Sequence, residues 1–122
     1  AKAKEAVDAW MSKDGDNIEM IFANNDGMAL GALAAVQALG YNQDDEAKYI
    51  PIYGVDATNE ALDKIEKGQL EGTVKQDNVA MAESVTALIK NKMAEKDWLD
   101  GTDYELFEDK KSVRIDYAKI TK

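Results

Sequence analysis

Short apolar runs alternate with helix-periodic stretches along nearly the whole chain, and this alternation narrows the possible folds more than any other feature. Residues 18–23 (IEMIFA), 49–55 (YIPIYGV), 72–76 (GTVKQ) and 112–117 (SVRIDY) have the composition of strands, the first of them buried. Before and between them, residues 2–13, 27–39, 59–67 and 78–95 carry apolar side chains at spacings of three and four. Examples are Val7, Trp10 and Met11 in the first helix, Leu33 and Val36 in the second, and Val79, Val85, Leu88, Ile89 and Met93 in the last. Strands separated by helices cannot form hairpins. Each helix returns the chain to start a new strand beside the previous one, so the pattern predicts an α/β fold of βαβ units around a mostly parallel sheet. The punctuation agrees: Gly15, Gly40 and Gly68 are helix stops, and Asp26, Thr58 and Asp77 are placed as N-caps. Pro51, the single proline, sits inside the second run and weakens it as a strand. Residues 96–111 read as an irregular acidic stretch with room for a hairpin. Trp10 falls on the apolar face of the first helix and is expected in the core, and Trp98 is expected to be partly buried.

The 122 residues, 45% hydrophobic and 32% charged, suffice for one domain with a core. A net charge of -9 argues against nucleic acid or an anionic membrane surface, both of which require clustered Lys and Arg. There is no cysteine and no histidine, so disulfides, thiol nucleophiles and imidazole bases are excluded together. No apolar run approaches the roughly 20 residues of a membrane-spanning helix. The opening AKAKEAVDAW is already helical in pattern, with no Met and no cap, as expected of a piece of a longer protein.

In open α/β sheets, ligands bind beyond the carboxyl ends of the strands. Three strands here run into polar residues at that point: Asn24-Asn25-Asp26, then Asp56, then Gln76-Asp77-Asn78. Amides and carboxylates without imidazole or thiol suit a neutral polyhydroxylated ligand, because carboxylates accept from hydroxyls and amides both donate and accept. Capping is the competing role. It is favoured for Asp26, Thr58 and Asp77, whereas Asn25 and Asp56, standing just before caps, are favoured as ligand contacts. Asp14, Asp16 and Glu19 have a calcium-like composition without the full loop spacing of an EF-hand. Asp26 and Asp56 could be imagined as a glycosidase pair, but nothing in the sequence fixes their separation.

The stretches IEMIFANNDGMALGALAAVQALG and IPIYGVDATNEALDKIEKGQLEGTVKQD, with VDAW before them and SVRIDY after, resemble the C-terminal half of the type I periplasmic sugar-binding proteins of ABC transporters. The similarity runs from Ala3 to Ile120 and is strongest to the galactose/glucose-binding branch. ANNDxMAxGA, GVDAxxEAL and GxLxGTV in this order are specific together and weak singly. The resemblance implies a periplasmic-binding-protein-like I fold, C-terminal portion only, with segments from both lobes. Residues 1–76 would lie in the C-terminal lobe, 77–117 in the N-terminal lobe, and 118–122 would return to the first. It implies binding without catalysis: a monosaccharide, galactose- or glucose-like, held between two lobes and delivered to an ABC permease in the membrane. Asn25 and Asp56 would contact the sugar, and Gln76 stands where the family usually has an asparagine. Glu19 occupies the place of a calcium ligand of the intact protein; no other cofactor is implied. The N-terminal half, the signal sequence and any lipid anchor would lie outside these residues, in a periplasmic or membrane-anchored extracellular protein. The helix over 78–95 would need that missing half to cover its apolar face.

Two alternatives belong to other classes. The effector domain of a LacI-type transcription regulator shares the fold and a similar ANND motif. A phosphoryl-accepting receiver domain has similar size and acidic strand ends, but begins with a strand rather than a helix.

Overall fold

In a computed structural model, residues 2–122 are described. They divide into two compact units, residues 2–76 with 118–122, and residues 77–117. The first unit contains helix α1 (Lys2–Asp14), strand β1 (Ile21–Phe22), helix α2 (Asp26–Gln37), strand β2 (Ile52–Val55), helix α3 (Asn59–Glu66), strand β3 (Gly72–Lys75) and strand β4 (Ala118–Thr121). The sheet order is β1-β2-β3-β4, the first three parallel and β4 antiparallel to β3. The predicted alternation and the mostly parallel sheet are therefore present.

The core lies where α1 and α2 pack on each other and α2 packs on the sheet. Val7 and Met11 face it from α1, and Ala29, Ala32, Leu33, Ala35 and Val36 from α2. Ile52 and Leu70 are wholly buried in the same cluster. Full burial of a Val, Leu, Ile or Met side chain contributes about 1.5–3 kcal/mol of transfer free energy. Trp10, expected in that core, is instead 56% exposed. The small residues of α2 let α1 approach closely: a Cβ at Gly31 would lie 3.1 Å from Ala3 Cβ. Val7 and Met11 fill the α1 side of the core, and the Trp10 indole is left outside.

Strands are shorter than the apolar runs suggest. Of residues 18–23 only Ile21 and Phe22 pair, and β1 is an edge strand whose Phe22 is 73% exposed and stacks on Tyr53 at 5.0 Å between ring centroids. β2 begins after Pro51, not at Tyr49. Ile50 gives its N–H to Asn42 Oδ1 (2.8 Å) instead of to a strand. Asn42, buried with φ 50°, donates in return to the carbonyls of Ile50 (2.7 Å) and Gln69 (3.0 Å). This one side chain fastens the α2–β2 loop to the start of β3.

The final strand also differs from expectation. Residues 112–117 form no strand, and β4 begins at Ala118. SVRIDY finds no neighbouring strand among residues 77–117, whereas residues 118–121 meet the open edge of β3, with Gly72 opposite Thr121. Gly72 is required there, because a Cβ would come within 2.7 Å of the Ile120 carbonyl.

The second unit contains helix α4 (Asn78–Met93), capped by Asp77 through its bond from Ala80 N–H (3.1 Å). Turns follow; the expected hairpin within 96–111 does not form. Asn91 Nδ2 holds the carbonyls of Trp98 (3.0 Å) and Asp100 (2.8 Å), and Arg114 lies over the Phe107 ring. Trp98 is half-exposed. Val79, Val85, Ile89 and Met93 of α4 are all at least half-exposed, so this helix keeps an apolar face in solvent.

At the amino end of the sheet, Tyr49 donates its hydroxyl to Glu71 Oε2 (2.9 Å), and Lys122 lies over its ring. Partial burial first, then the Glu71 carboxylate, raise the phenol well above its ordinary value of 10.0. The folded state thus holds this proton more tightly than the unfolded chain. The resulting stability is fully present below pH 10.0 and is lost as pH rises toward the folded value. Urea midpoints at successive pH values above 10 are expected to fall less steeply for Tyr49→Phe than for the parent; identical slopes would contradict the linkage.

Candidate functional site

Because β1, β2 and β3 are parallel, their carboxyl ends share one edge of the sheet. Asn24 and Asn25 follow β1, Asp56 follows β2 and Gln76 follows β3. Asn24, Asn25 and Asp56 are exposed and Gln76 is half-buried. The residues singled out in the sequence therefore line one edge, each held by a different device.

Asn25, not Asp26, caps α2. Its backbone is extended (φ −154°, ψ 166°) and its Oδ1 accepts from Met28 N–H at 2.8 Å. An Asn at this position satisfies one of the orphan donors of the first turn. The Oδ1 is thereby committed to the helix, and the Nδ2 donors make no hydrogen bond to a described residue.

Asp26, expected as the cap, is the first residue of the helix and wholly buried. Burying a carboxyl is unfavourable unless its oxygens find donors. Here Oδ1 accepts from the Thr73 hydroxyl (2.6 Å) and Oδ2 from Thr58 N–H (2.7 Å), beside the positive end of α2. Gly54 makes the room. It pairs with Thr73 across β2 and β3, and a Cβ at position 54 would overlap Asp26 Oδ1 and crowd Ala29 Cβ at 3.2 Å. Asp26 thus joins the start of α2 to the β2–α3 turn and to β3.

That turn carries Asp56. Asp56 and Ala57 both have positive φ, 115° and 55°. Non-glycine residues rarely occupy this region, at a cost of order 1–3 kcal/mol each. Three successive N–H groups hold them there: Asp56 to the Val74 carbonyl (2.8 Å), Ala57 to Thr73 Oγ1 (3.3 Å) and Thr58 to Asp26. Thr58 then caps α3 through Ala61 N–H. Gln76 Nε2 donates to Asp56 Oδ1 at 2.8 Å. The structure brings Asp56 and Gln76 into contact; Asn25 shares their edge without a bond to either.

Thr73 was not among the residues singled out, though it ties Asp26 to Ala57. A strand threonine facing a glycine on the neighbouring strand was the available sign, legible only once the register is known. Glu19 is exposed at the opposite, amino end of β1. Among the described residues no three His, Cys, Asp or Glu are grouped to hold a metal ion, Glu19 included. No helix among the described residues is long and apolar enough to cross a membrane. In the second unit, Leu88, Trp98, Leu99, Leu106 and Val113 border an open hollow of about 450 Å³. Its lining is mostly apolar, without the amides that mark the strand ends.

An amide at position 26 could accept on one atom only and would turn its N–H₂ toward a donor. Asp26→Asn is therefore expected to lower unfolding free energy by about 1–3 kcal/mol, read from urea denaturation. An unchanged midpoint would remove the carboxylate from its central role.

Comparison with known proteins places these residues in context. The model of the family described as periplasmic binding protein domain matches residues 1–97. The D-galactose/methyl-galactoside binding periplasmic protein MglB of Haemophilus influenzae is 46% identical over 123 aligned residues, which span 100% of this chain and 34% of that protein. The chain thus spans about a third of that relative's length. Among solved structures, the Caulobacter myo-inositol binding protein bound to myo-inositol superposes with a TM-score of 0.71 at 29% identity, covering 98% of this chain and 36% of that one. A periplasmic solute binding protein from Actinobacillus succinogenes with bound D-allose reaches 0.76 at 20% identity, over 98% and 36%, a likeness of fold. With the family model covering most of its length, the chain belongs to the periplasmic binding protein domain family.

Proposed function

We propose that this chain is part of the solute-binding component of an ABC sugar importer, which holds a galactose- or glucose-like monosaccharide between two lobes and hands it to a membrane permease. The observation that carries this reading is the strand-end edge itself. Asn25 Nδ2 and the Asp56 carboxylate offer a donor and acceptors side by side on a fixed frame, with Gln76 beside them. Sugar hydroxyls pair with both kinds of group, and a ligand lacking them would leave the edge unsatisfied. The 46% identity to a protein named for D-galactose, across the whole chain, supports this choice of sugar. The edge has neither imidazole nor thiol, which suits binding and release rather than bond-breaking.

In this reading residues 1–76 and 118–122 belong to the C-terminal lobe and residues 77–117 to the N-terminal one. The rest of that lobe, supplied by residues outside this sequence, covers the apolar face of α4 at Val79, Val85, Ile89 and Met93. Glu19 contributes to a calcium site only if further ligands come from the same outside residues. Export to the periplasm or outer cell surface follows from the same function. No observation favours the transcription-regulator alternative.

Calorimetry with D-galactose and D-glucose tests the proposal. The two-lobed protein is expected to bind at least one of them, Asp56→Ala to lower that affinity by tenfold or more, and the isolated 122 residues to bind neither measurably. Tight binding by the isolated chain would overturn the split site, and no binding by the two-lobed protein would overturn the choice of sugar.

A further inference from the structure

The Asp56 side chain has one hydrogen-bonding partner among the described residues, the amide of Gln76 at 2.8 Å. A carboxylate has only acceptors to offer, so the chemistry fixes which end of the Gln76 amide faces it. Strand register brings the two together. Val55 pairs with Val74, which sets Asp56 beside Lys75 and Gln76 one residue beyond. The Gln76 side chain must lean back along the edge to reach Oδ1, and an asparagine would be shorter by one C–C bond, about 1.5 Å. The turn fixes the Asp56 backbone through three N–H groups, and among the described residues Gln76 alone bonds the carboxylate.

We propose that Gln76 is a positioning residue: it acts on the ligand through Asp56, holding Oδ1 so that Oδ2 is already presented when a hydroxyl arrives. This rests on the sugar-binding reading above and sharpens the role of Gln76 within it. An exposed carboxylate that is free to rotate must be ordered at each binding event, and a neutral amide that pre-sets it removes that cost without cancelling its charge. A diol that takes both oxygens of Asp56 shares Oδ1 with the amide, since each carboxylate oxygen has two acceptor sites, whereas a single hydroxyl on Oδ2 leaves the amide bond to itself. Sugars that use one oxygen and sugars that use two therefore meet Gln76 differently, which makes it a determinant of selectivity as well as affinity.

A double-mutant cycle in the two-lobed protein, titrated with D-galactose and D-glucose, separates positioning from direct contact. Gln76→Ala is expected to weaken binding about tenfold when Asp56 is present, the scale of one hydrogen bond to a charged group. In an Asp56→Ala background the same change is expected to alter affinity by less than about twofold, since nothing is left to position. Equal losses in both backgrounds would mean that Gln76 touches the sugar independently, and would overturn the proposal. NMR of the sugar-free two-lobed protein gives a second readout. Asp56→Ala should move the Gln76 side-chain N–H₂ signals toward those of a free amide, while signals from the core around Ile52 and Leu70 stay in place. Unmoved Gln76 signals would overturn the contact. If the parent two-lobed protein binds neither sugar, the choice of sugar fails, and the Gln76 signals still decide whether the amide holds the carboxylate.

Discussion

The buried carboxylate of Asp26 is the interaction on which the ligand-facing edge depends. It lies at the first turn of α2, yet its two oxygens are used by Thr73 on β3 and Thr58 at the start of α3. One side chain thus fixes three elements whose ends carry the exposed polar groups. It requires Gly54, because any side chain on that residue of β2 would occupy the space of the carboxylate. It requires Thr73, whose hydroxyl donates to Asp26 and accepts from Ala57 N–H. The strained turn at Asp56 and Ala57 persists because these bonds over-determine it. Remove the carboxylate and the neighbouring donors are left buried without acceptors, a larger loss than that of the bonds alone.

The layout above the core follows from this. Asn25 can spend its Oδ1 on capping because the next residue anchors the helix from inside. Capping uses only the Oδ1 of Asn25, and its Nδ2 is left for a ligand. Position and chemistry are divided between adjacent residues: Asp26 holds and Asn25 faces out. At the next strand end, the turn holds the Asp56 backbone while the carboxylate faces out.

Much of this was legible in the sequence, and the misses have physical causes. The alternation of periods placed every helix within a few residues, and Thr58 and Asp77 cap α3 and α4 as their positions suggested. Asp26 and Asn25 exchanged roles because both side chains can cap, and only the register of β2 against β3 shows that Asp26 has buried donors waiting. SVRIDY reads as a strand by composition, but a strand needs a neighbour, and β3 offers its open edge to residues 118–121 instead. Trp10 has a helical phase compatible with the core, yet Val7 and Met11 supply the α1 side of it and the indole stays outside. Asn42 lies in the polar stretch between α2 and β2, yet it is buried and bridges Ile50 and Gln69. In each case the sequence supplies the preference of a residue, and the missing information is which long-range neighbour it meets.

The two units differ in how completely they bury themselves. Residues 2–76 with 118–122 contain the whole buried apolar cluster, while within 77–117 Ser84 is the one buried side chain among the described residues. An apolar helix face left in water is an association surface, and it accords with a chain that spans about a third of a relative's length. The most direct test of the account is a crystal structure of the two-lobed protein grown with D-galactose. The account predicts sugar hydroxyls within about 3.2 Å of the Asp56 carboxylate and of Asn25 Nδ2, with the Asp26 bonds to Thr58 and Thr73 intact. A sugar seated elsewhere, for instance against Trp98 in the hollow of residues 77–117, would contradict it.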